Sequence, residues 1–276
     1  MAVTGAGASR IFAPDLLAGR VAIVTGGGTG LGKASARELI ACGARVVIAG
    51  RREEVLAAAA RELGEGCSWV AGDVRDPDDA ARIVGAAGQR MDVLVNNAGG
   101  QYFVPAEAIA LKGWSAVWRL NVGGTVTMTR AACGRLSPDG AVINVTFSPH
   151  HGLPGMTHSG AARAAVEALT RSLAAELAPV SVTAIAAGHF RTDALKKYPA
   201  NIGEAAARTV PLQRLGEEEE HAWLVAMLAS PLGRAFSGSV VTLDGARDNW
   251  YGPWPPPGLV GESGEVPTEE RRTPAP

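Results

Sequence analysis

The sequence predicts an α/β fold, a single domain built on a doubly wound parallel sheet of about seven strands. Three observations predict it. Short, mainly apolar runs recur along the chain, as expected of strands buried on both faces. Ala-rich segments of helical period separate those runs. The first run, Val21-Ala-Ile-Val-Thr25, opens onto a glycine-rich turn and then a helical pattern, which is the strand–turn–helix join of a crossover unit.

The elements follow in order. After the strand at 21–25 comes a helix over 33–42, with Ala36, Leu39 and Ile40 on one face. A strand at 45–49 precedes an Ala-rich helix at 53–63. Buried strands at 68–71 and 93–95 flank a helix at 78–87. A long helix lies between 112 and 135, and 141–145 is the fifth strand. The clearest helix covers 161–178, where Ala165, Leu169, Leu173 and Leu177 form a stripe. Strands at 182–185 and 240–243 complete the sheet, with right-handed crossovers expected. Residues 1–10 read as a mobile N-terminus, 11–250 as the domain and 251–276 as a Pro/Gly-rich tail. Trp250, Tyr251 and Trp254 are expected to pack on the body or on a neighbouring subunit. Residues 190–215 show no sheet element and read as a substrate lid.

Bulk properties exclude several classes. The 276 residues are 47% hydrophobic and 19% charged, enough for a large core. A formal charge of −1 gives no footprint for nucleic acid. Cys42, Cys67 and Cys133 are too scattered for a disulfide framework or a metal site, so no metal is expected. No run approaches the ~20 apolar residues of a membrane span. With no signal peptide or peroxisomal address read at either end, a cytoplasmic protein is expected.

Thr25-Gly26-Gly-Gly-Thr29-Gly30-Leu31-Gly32 has the composition and context of a pyrophosphate cradle. Glycines admit close backbone approach, and the following helix adds N–H donors and a positive dipole end. That makes the domain Rossmann-like. An NAD site carries an acid after the second strand, whereas this chain has Gly50-Arg51-Arg52. Arg51 can meet a 2′-phosphate bidentately, which predicts NADP(H). The alternative is a solvated basic pair at a helix start.

From about Leu17 to Arg247, these motifs and their spacing resemble the short-chain dehydrogenase/reductase family. The turn spacing Thr-Gly-x-x-x-Gly-x-Gly is that of its classical members. By resemblance, Asn97, Ala98 and Gly99 of Asn96-Asn-Ala-Gly99 form a cofactor-supporting turn, and Asp73 and Val74 touch the adenine. Asn121 resembles the asparagine that kinks a helix and holds a catalytic water. Gly188 and Thr192 resemble the turn beside the nicotinamide, with its proline lost. Asp244-Gly245 ends the last strand as in the family.

The active-site block departs from the family pattern of a tyrosine followed four residues later by a lysine. Ser159 stands at the tyrosine position and Arg163 at the lysine. A serine hydroxyl is too weak an acid to replace a tuned phenol. Arg163 can hold ribose hydroxyls and supply charge, but it cannot release a proton. The same departures resemble the trans-2-enoyl-CoA reductase branch of peroxisomal type, which carries blocks like His158-Ser-Gly-Ala-Ala-Arg163, Asn97-Ala-Gly-Gly-Gln101 and Lys112-Gly-Trp114. That branch has bacterial relatives acting on 1-cyclohexenylcarbonyl-CoA. The resemblance implies NADPH-dependent reduction of an enoyl-CoA double bond.

Such chemistry tolerates the loss. Hydride goes to the β-carbon, and charge builds on the thioester oxygen, where neutral donors suffice. Thr146, Ser148, His158 and Ser159 are candidate donors. Each has a plainer alternative: strand-end contacts for Thr146 and Ser148, a loop histidine for His158, a helix cap for Ser159. His150 and His151 read as a solvated loop. In the lid, Lys196, Lys197, Arg208 and Arg214 can meet the phosphates of an acyl-CoA or remain solvated. Two other functions stay open: a ketoreductase or alcohol dehydrogenase using another acid such as His158, and a non-catalytic NADP-binding subunit. Small residues around the 161–178 helix, with the resemblance, imply a homotetramer.

Overall fold

A computed structural model of the chain describes residues 7–193 and 201–250, leaving aside the side chains of 201 and 202. Seven strands form one parallel sheet: β1 (Val21–Thr25), β2 (Arg45–Gly50), β3 (Cys67–Ala71), β4 (Met91–Asn96), β5 (Leu136–Phe147), β6 (Ser181–Ala187) and β9 (Val240–Leu243). Their order across the sheet is β3-β2-β1-β4-β5-β6-β9. The chain winds outward in one direction from β1 and in the other from β4. The register is in step from Val21 opposite Arg45 to Thr25 opposite Ala49.

Helices cover both faces: α1 (Gly30–Ala41), α2 (Glu53–Leu63), α3 (Pro77–Gly85), α4 (Leu111–Trp118), α5 (Gly124–Ala132), α6 (Thr157–Glu176), α7 (Asn201–Arg208) and α8 (Glu218–Ala229). Strand alternation divides the core. Ala22 and Val24 face a cluster with Leu39, Leu56, Leu63 and Val225. Val21 and Ile23 face another with Ile83, Val84, Met128 and Ala132. Burying one such side chain contributes about 1.5–3 kcal/mol, so the two clusters hold the strands in register. The seven expected strands are those found. α3 starts where Asp76 accepts from the N–H groups of Asp78 and Asp79, with Pro77 at its first position.

Three segments differ from expectation. α6 starts four residues early, because Gly160 N–H bonds Met156 O at 2.8 Å and closes an extra turn. His158 and Ser159 thus lie inside the helix, and Ser159 is not its cap. The long helix is two, α4 and α5, joined by a π-helical turn, Arg119–Gly123, that contains Asn121. The lid region contains sheet after all: β7 (Phe190–Arg191) pairs with β8 (Gly216–Glu217) in parallel, bracketing α7. Two residues of strand are too short to register as periodicity. Lys196, Lys197 and the tail from 251 onward lie outside the described residues. Ser9, within the expected mobile N-terminus, donates to Glu38 at 2.5 Å. Among the described residues no helix is long and apolar enough to cross a membrane.

Candidate functional site

The winding reverses between β1 and β4, and at their carboxyl ends lies a cleft of about 690 Å³. Ligands of open α/β sheets bind at such a crevice. Gly26, Thr29, Gly30, Leu31 and Gly32 floor it, Arg51, Asp73 and Val74 line one end, and Asn97, Ala98, Gly99, Arg163, Gly188 and Thr192 line the other. All the cofactor residues expected from sequence therefore border one continuous groove.

Thr25 joins its two turns. Its hydroxyl accepts from the N–H groups of Asn97 and Ala98, both at 3.0 Å, while Asn97 Nδ2 donates to Thr25 O at 2.9 Å. Gly32 leaves no room for a side chain, since a Cβ would sit 2.4 Å from Gly26 O and 2.5 Å from Asn97 Nδ2. At the far end Arg51 is exposed. Asp73 is engaged by Arg75, whose Nε donates to it at 2.8 Å, and this holds the carboxyl below the usual range. Val74 is buried and presents an apolar wall.

Arg163 reaches from α6 into the cleft wall. Its Nη1 donates to Val145 O at 2.6 Å, and its Nε has no partner. No carboxylate pairs with it among the described residues, and loss of water pushes its pKa down to about 10, so it stays charged at neutral pH. A desolvated guanidinium with a spare donor beside a glycine cradle fits a ligand rich in hydroxyl and phosphate oxygens. A Cβ on Gly99 would lie 2.4 Å from Arg163 Nη2 and 2.8 Å from Asn121 Oδ1. Asn121 is buried, and its Nδ2 donates to Gly100 O at 2.9 Å and to Val117 O at 2.8 Å. The π-helical turn is what aims that amide at the Gly99-Gly100 turn.

The candidate donors fare differently. Ser159 Oγ donates to Gln101 Oε1 at 3.0 Å, which leaves the amide NH₂ of Gln101, a residue of the cleft wall, to face other acceptors. Sequence reasoning assigned Gln101 no role. Thr146 donates to Glu167 at 3.0 Å, and Ser148 donates to Asp244. Both hydroxyls are thereby committed to carboxylates. His158 is buried, with neither ring nitrogen bonded and its ring edge-on to Tyr102 at 4.6 Å. Burial lowers its pKa, so it is neutral. Arg214 pairs with Glu220 at 2.6 Å and is not an open cation for a phosphate, whereas Arg208 is exposed on α7.

His150 and His151 lie on an exposed turn, as expected, but side-chain contacts tie that turn to the body. His150 Nε2 lies 3.0 Å from Glu167 Oε1, and its Nδ1 bonds Asp248. His151 Nδ1 is 3.4 Å from Asp248. Glu167 is buried on α6. Glu167 stands one turn after Arg163 on the buried face of α6 with Ala162, Val166 and Thr170, off the stripe of residues 165, 169, 173 and 177 read from the sequence. The other partner, Asp248, comes from 98 residues downstream, which local sequence does not reveal. No cluster of His, Cys, Asp or Glu suited to a metal occurs among the described residues.

The family model described as enoyl-(acyl carrier protein) reductase matches residues 26–246. The chain is 35% identical over 253 residues to a probable 2,4-dienoyl-CoA reductase [(2E)-enoyl-CoA-producing] of Bacillus subtilis, covering 86% of this chain and 98% of the relative. It is 33% identical over 252 residues to the peroxisomal 2,4-dienoyl-CoA reductase [(3E)-enoyl-CoA-producing] of Danio rerio, covering 86% and 84%. Among solved structures, a short-chain dehydrogenase from Bacillus anthracis superposes with a TM-score of 0.75 at 34% identity, covering 83% of this chain and 96% of that one.

Proposed function

The chain belongs to the short-chain dehydrogenase/reductase family, and from that premise we propose that it is an NADPH-dependent reductase of the carbon–carbon double bond of an enoyl-CoA thioester. The family is one of oxidoreductases and implies a nicotinamide cofactor. When bound, that cofactor supplies the hydride. Relatives named 2,4-dienoyl-CoA reductases support an unsaturated acyl-CoA as substrate. A 2-enoyl or a 1-cyclohexenylcarbonyl thioester belongs to the same chemical class.

One observation carries the reading: Ser159 occupies the acid's position and its hydroxyl is spent on Gln101. The position thus offers no phenol to protonate an alkoxide, as ketone reduction requires. What the wall offers is the Gln101 amide, a neutral donor suited to charge building on a thioester oxygen. Arg163 adds a fixed positive charge and, with Asn97 and the glycine turn, holds the cofactor. Arg51, exposed at the other end of the groove, supports NADPH over NADH. Asn121 fixes Gly100 and so the Gly99–Gln101 wall. The test is NADPH oxidation with linear and cyclic enoyl-CoAs beside a 3-oxoacyl-CoA. Turnover of the ketone alone would overturn the reading.

The assembly we propose is a homotetramer. Leu111, Trp118 and Val126 are 85%, 40% and 42% exposed along α4 and α5, and such an apolar stripe is costly in water. A second copy of the chain would cover it. Sedimentation of Trp118→Glu should then show dissociation, whereas a monomeric natural chain would refute the assembly.

A further inference from the structure

β5 delivers Thr146 and Phe147 to the cleft end of the sheet, Ser148 follows directly, and Phe147 lines the cleft. The residues on either side of it begin and end a ring of hydrogen bonds. Thr146 Oγ1 donates to Glu167 Oε1 at 3.0 Å, and His150 Nε2 meets that same oxygen at 3.0 Å. His150 Nδ1 and its backbone N–H, the latter at 2.6 Å, both reach the Asp248 carboxylate. Asp248 N–H donates to Asp244 Oδ2 at 2.8 Å, and Ser148 Oγ donates to that same carboxylate oxygen. The ring links β5, α6, the end of β9 and the turn after it.

Carboxylates accept and cannot donate. An imidazole that bonds one at each nitrogen must therefore carry a proton on both. His150 faces Glu167 from α6, Asp248 from the turn after β9, and His151 on its own loop. Asp244 lies one bond further on, with the charge of Arg247 and the neutral His189 beside it. Two carboxylates thus flank one imidazole, and a third lies one hydrogen bond beyond Asp248.

We propose that His150 is a positioning residue for the reduction: as an imidazolium it closes this ring around Phe147 and sets the wall against which the unsaturated acyl-CoA lies. The inference rests on the function proposed above. Loss of the proton leaves one nitrogen an acceptor facing a carboxylate, so one of the two contacts opens. Burial disfavours the charged ring, but the Asp248 hydrogen bond and the charges of Glu167 and Asp248 outweigh it, and the pKa is raised from 6.5. A raised value means that the closed ring is complete below pH 6.5 and is lost as pH rises through the folded value.

The experiment uses the full chain with NADPH and trans-2-enoyl-CoA, and reads three quantities. Ring NMR, with His150 assigned by its absence from His150→Gln, should show His150 titrating above the ordinary histidine value. Amide exchange at His150 and Asp248, both donors in the ring, should speed up roughly tenfold in His150→Gln. The KM for enoyl-CoA should rise about tenfold through the same pH window while kcat changes less. His150→Gln should show the high KM at every pH. His150→Arg, whose charge does not titrate in that window, should restore the low KM and flatten the profile. An ordinary or lowered His150 titration, unchanged exchange in His150→Gln, or a pH profile that His150→Arg leaves as it was, would each overturn the inference. Absence of any enoyl-CoA turnover would fail the proposed function instead, since titration and exchange report on the ring without substrate.

Discussion

Replacing Ser159 by alanine separates two roles for the position where the family pattern has tyrosine. The Ser159 hydroxyl is buried and makes one bond, to Gln101 Oε1 at 3.0 Å. It cannot be the acid, so its whole effect must pass through that amide. A neutral hydrogen bond contributes about 0.5–1.5 kcal/mol net, which is about two- to twelvefold in rate. The lower half of that range applies, because Gln101 is exposed and its freed oxygen finds water. Single-turnover NADPH oxidation at saturating cofactor isolates the chemical step. Ser159→Ala should slow it less than about tenfold, and in a Gln101→Ala background it should add almost nothing, since the pair acts as a unit. Loss of hydride transfer in Ser159→Ala with unchanged NADPH affinity, or a full additional effect in the double variant, would refute the reasoning.

Three more outcomes follow from the cleft. Arg51→Asp should remove the preference for NADPH and weaken its binding by about 1.5–3 kcal/mol, read by fluorescence titration with NADPH and NADH; equal affinity of the natural chain for both would contradict this. Arg163→Ala should weaken cofactor binding more than Ser159→Ala does, because a fixed cation and its donors leave together; an unchanged NADPH dissociation constant would count against it. Gly99→Ala drives a methyl into Arg163 and Asn121, whereas a Cβ at Gly123 meets nothing within 4 Å. Gly99→Ala should therefore abolish the thermal shift given by NADPH and Gly123→Ala preserve it, and equal loss in both would show that the contact is not the cause.

Much of this molecule is local and therefore readable. Val21–Val24 is apolar because both of its faces are covered, and Gly26 and Gly32 are glycines because the two turns of the cleft approach closely there. Those residues announce the sheet and the cleft without reference to anything distant. Gly30, Arg51 and Gly188 lie together because each follows a strand of one parallel sheet, so topology alone brings them to one edge. The early start of α6 was hidden by Gly160, a poor helix former that a backbone bond to Met156 overrides. The chemistry behind the cleft was hidden for a different reason. His150 joins Glu167, 17 residues on, to Asp248, 98 residues on. A histidine beside another histidine carries no trace of that pairing. Gln101 likewise reads as a loop amide until Ser159 is seen to fix its oxygen.

The central claim is that this cleft reduces an activated carbon–carbon double bond and not a ketone. The most direct measurement incubates the full chain with NADPH and, separately, trans-2-enoyl-CoA, 2,4-dienoyl-CoA, 1-cyclohexenylcarbonyl-CoA and 3-oxoacyl-CoA thioesters, and follows both NADPH oxidation and product mass. The account predicts stoichiometric NADPH oxidation with at least one of the unsaturated thioesters, a product that has gained one hydride and one proton, and no turnover of the 3-oxoacyl thioester. Reduction of the 3-oxoacyl thioester with every unsaturated thioester left untouched would contradict it.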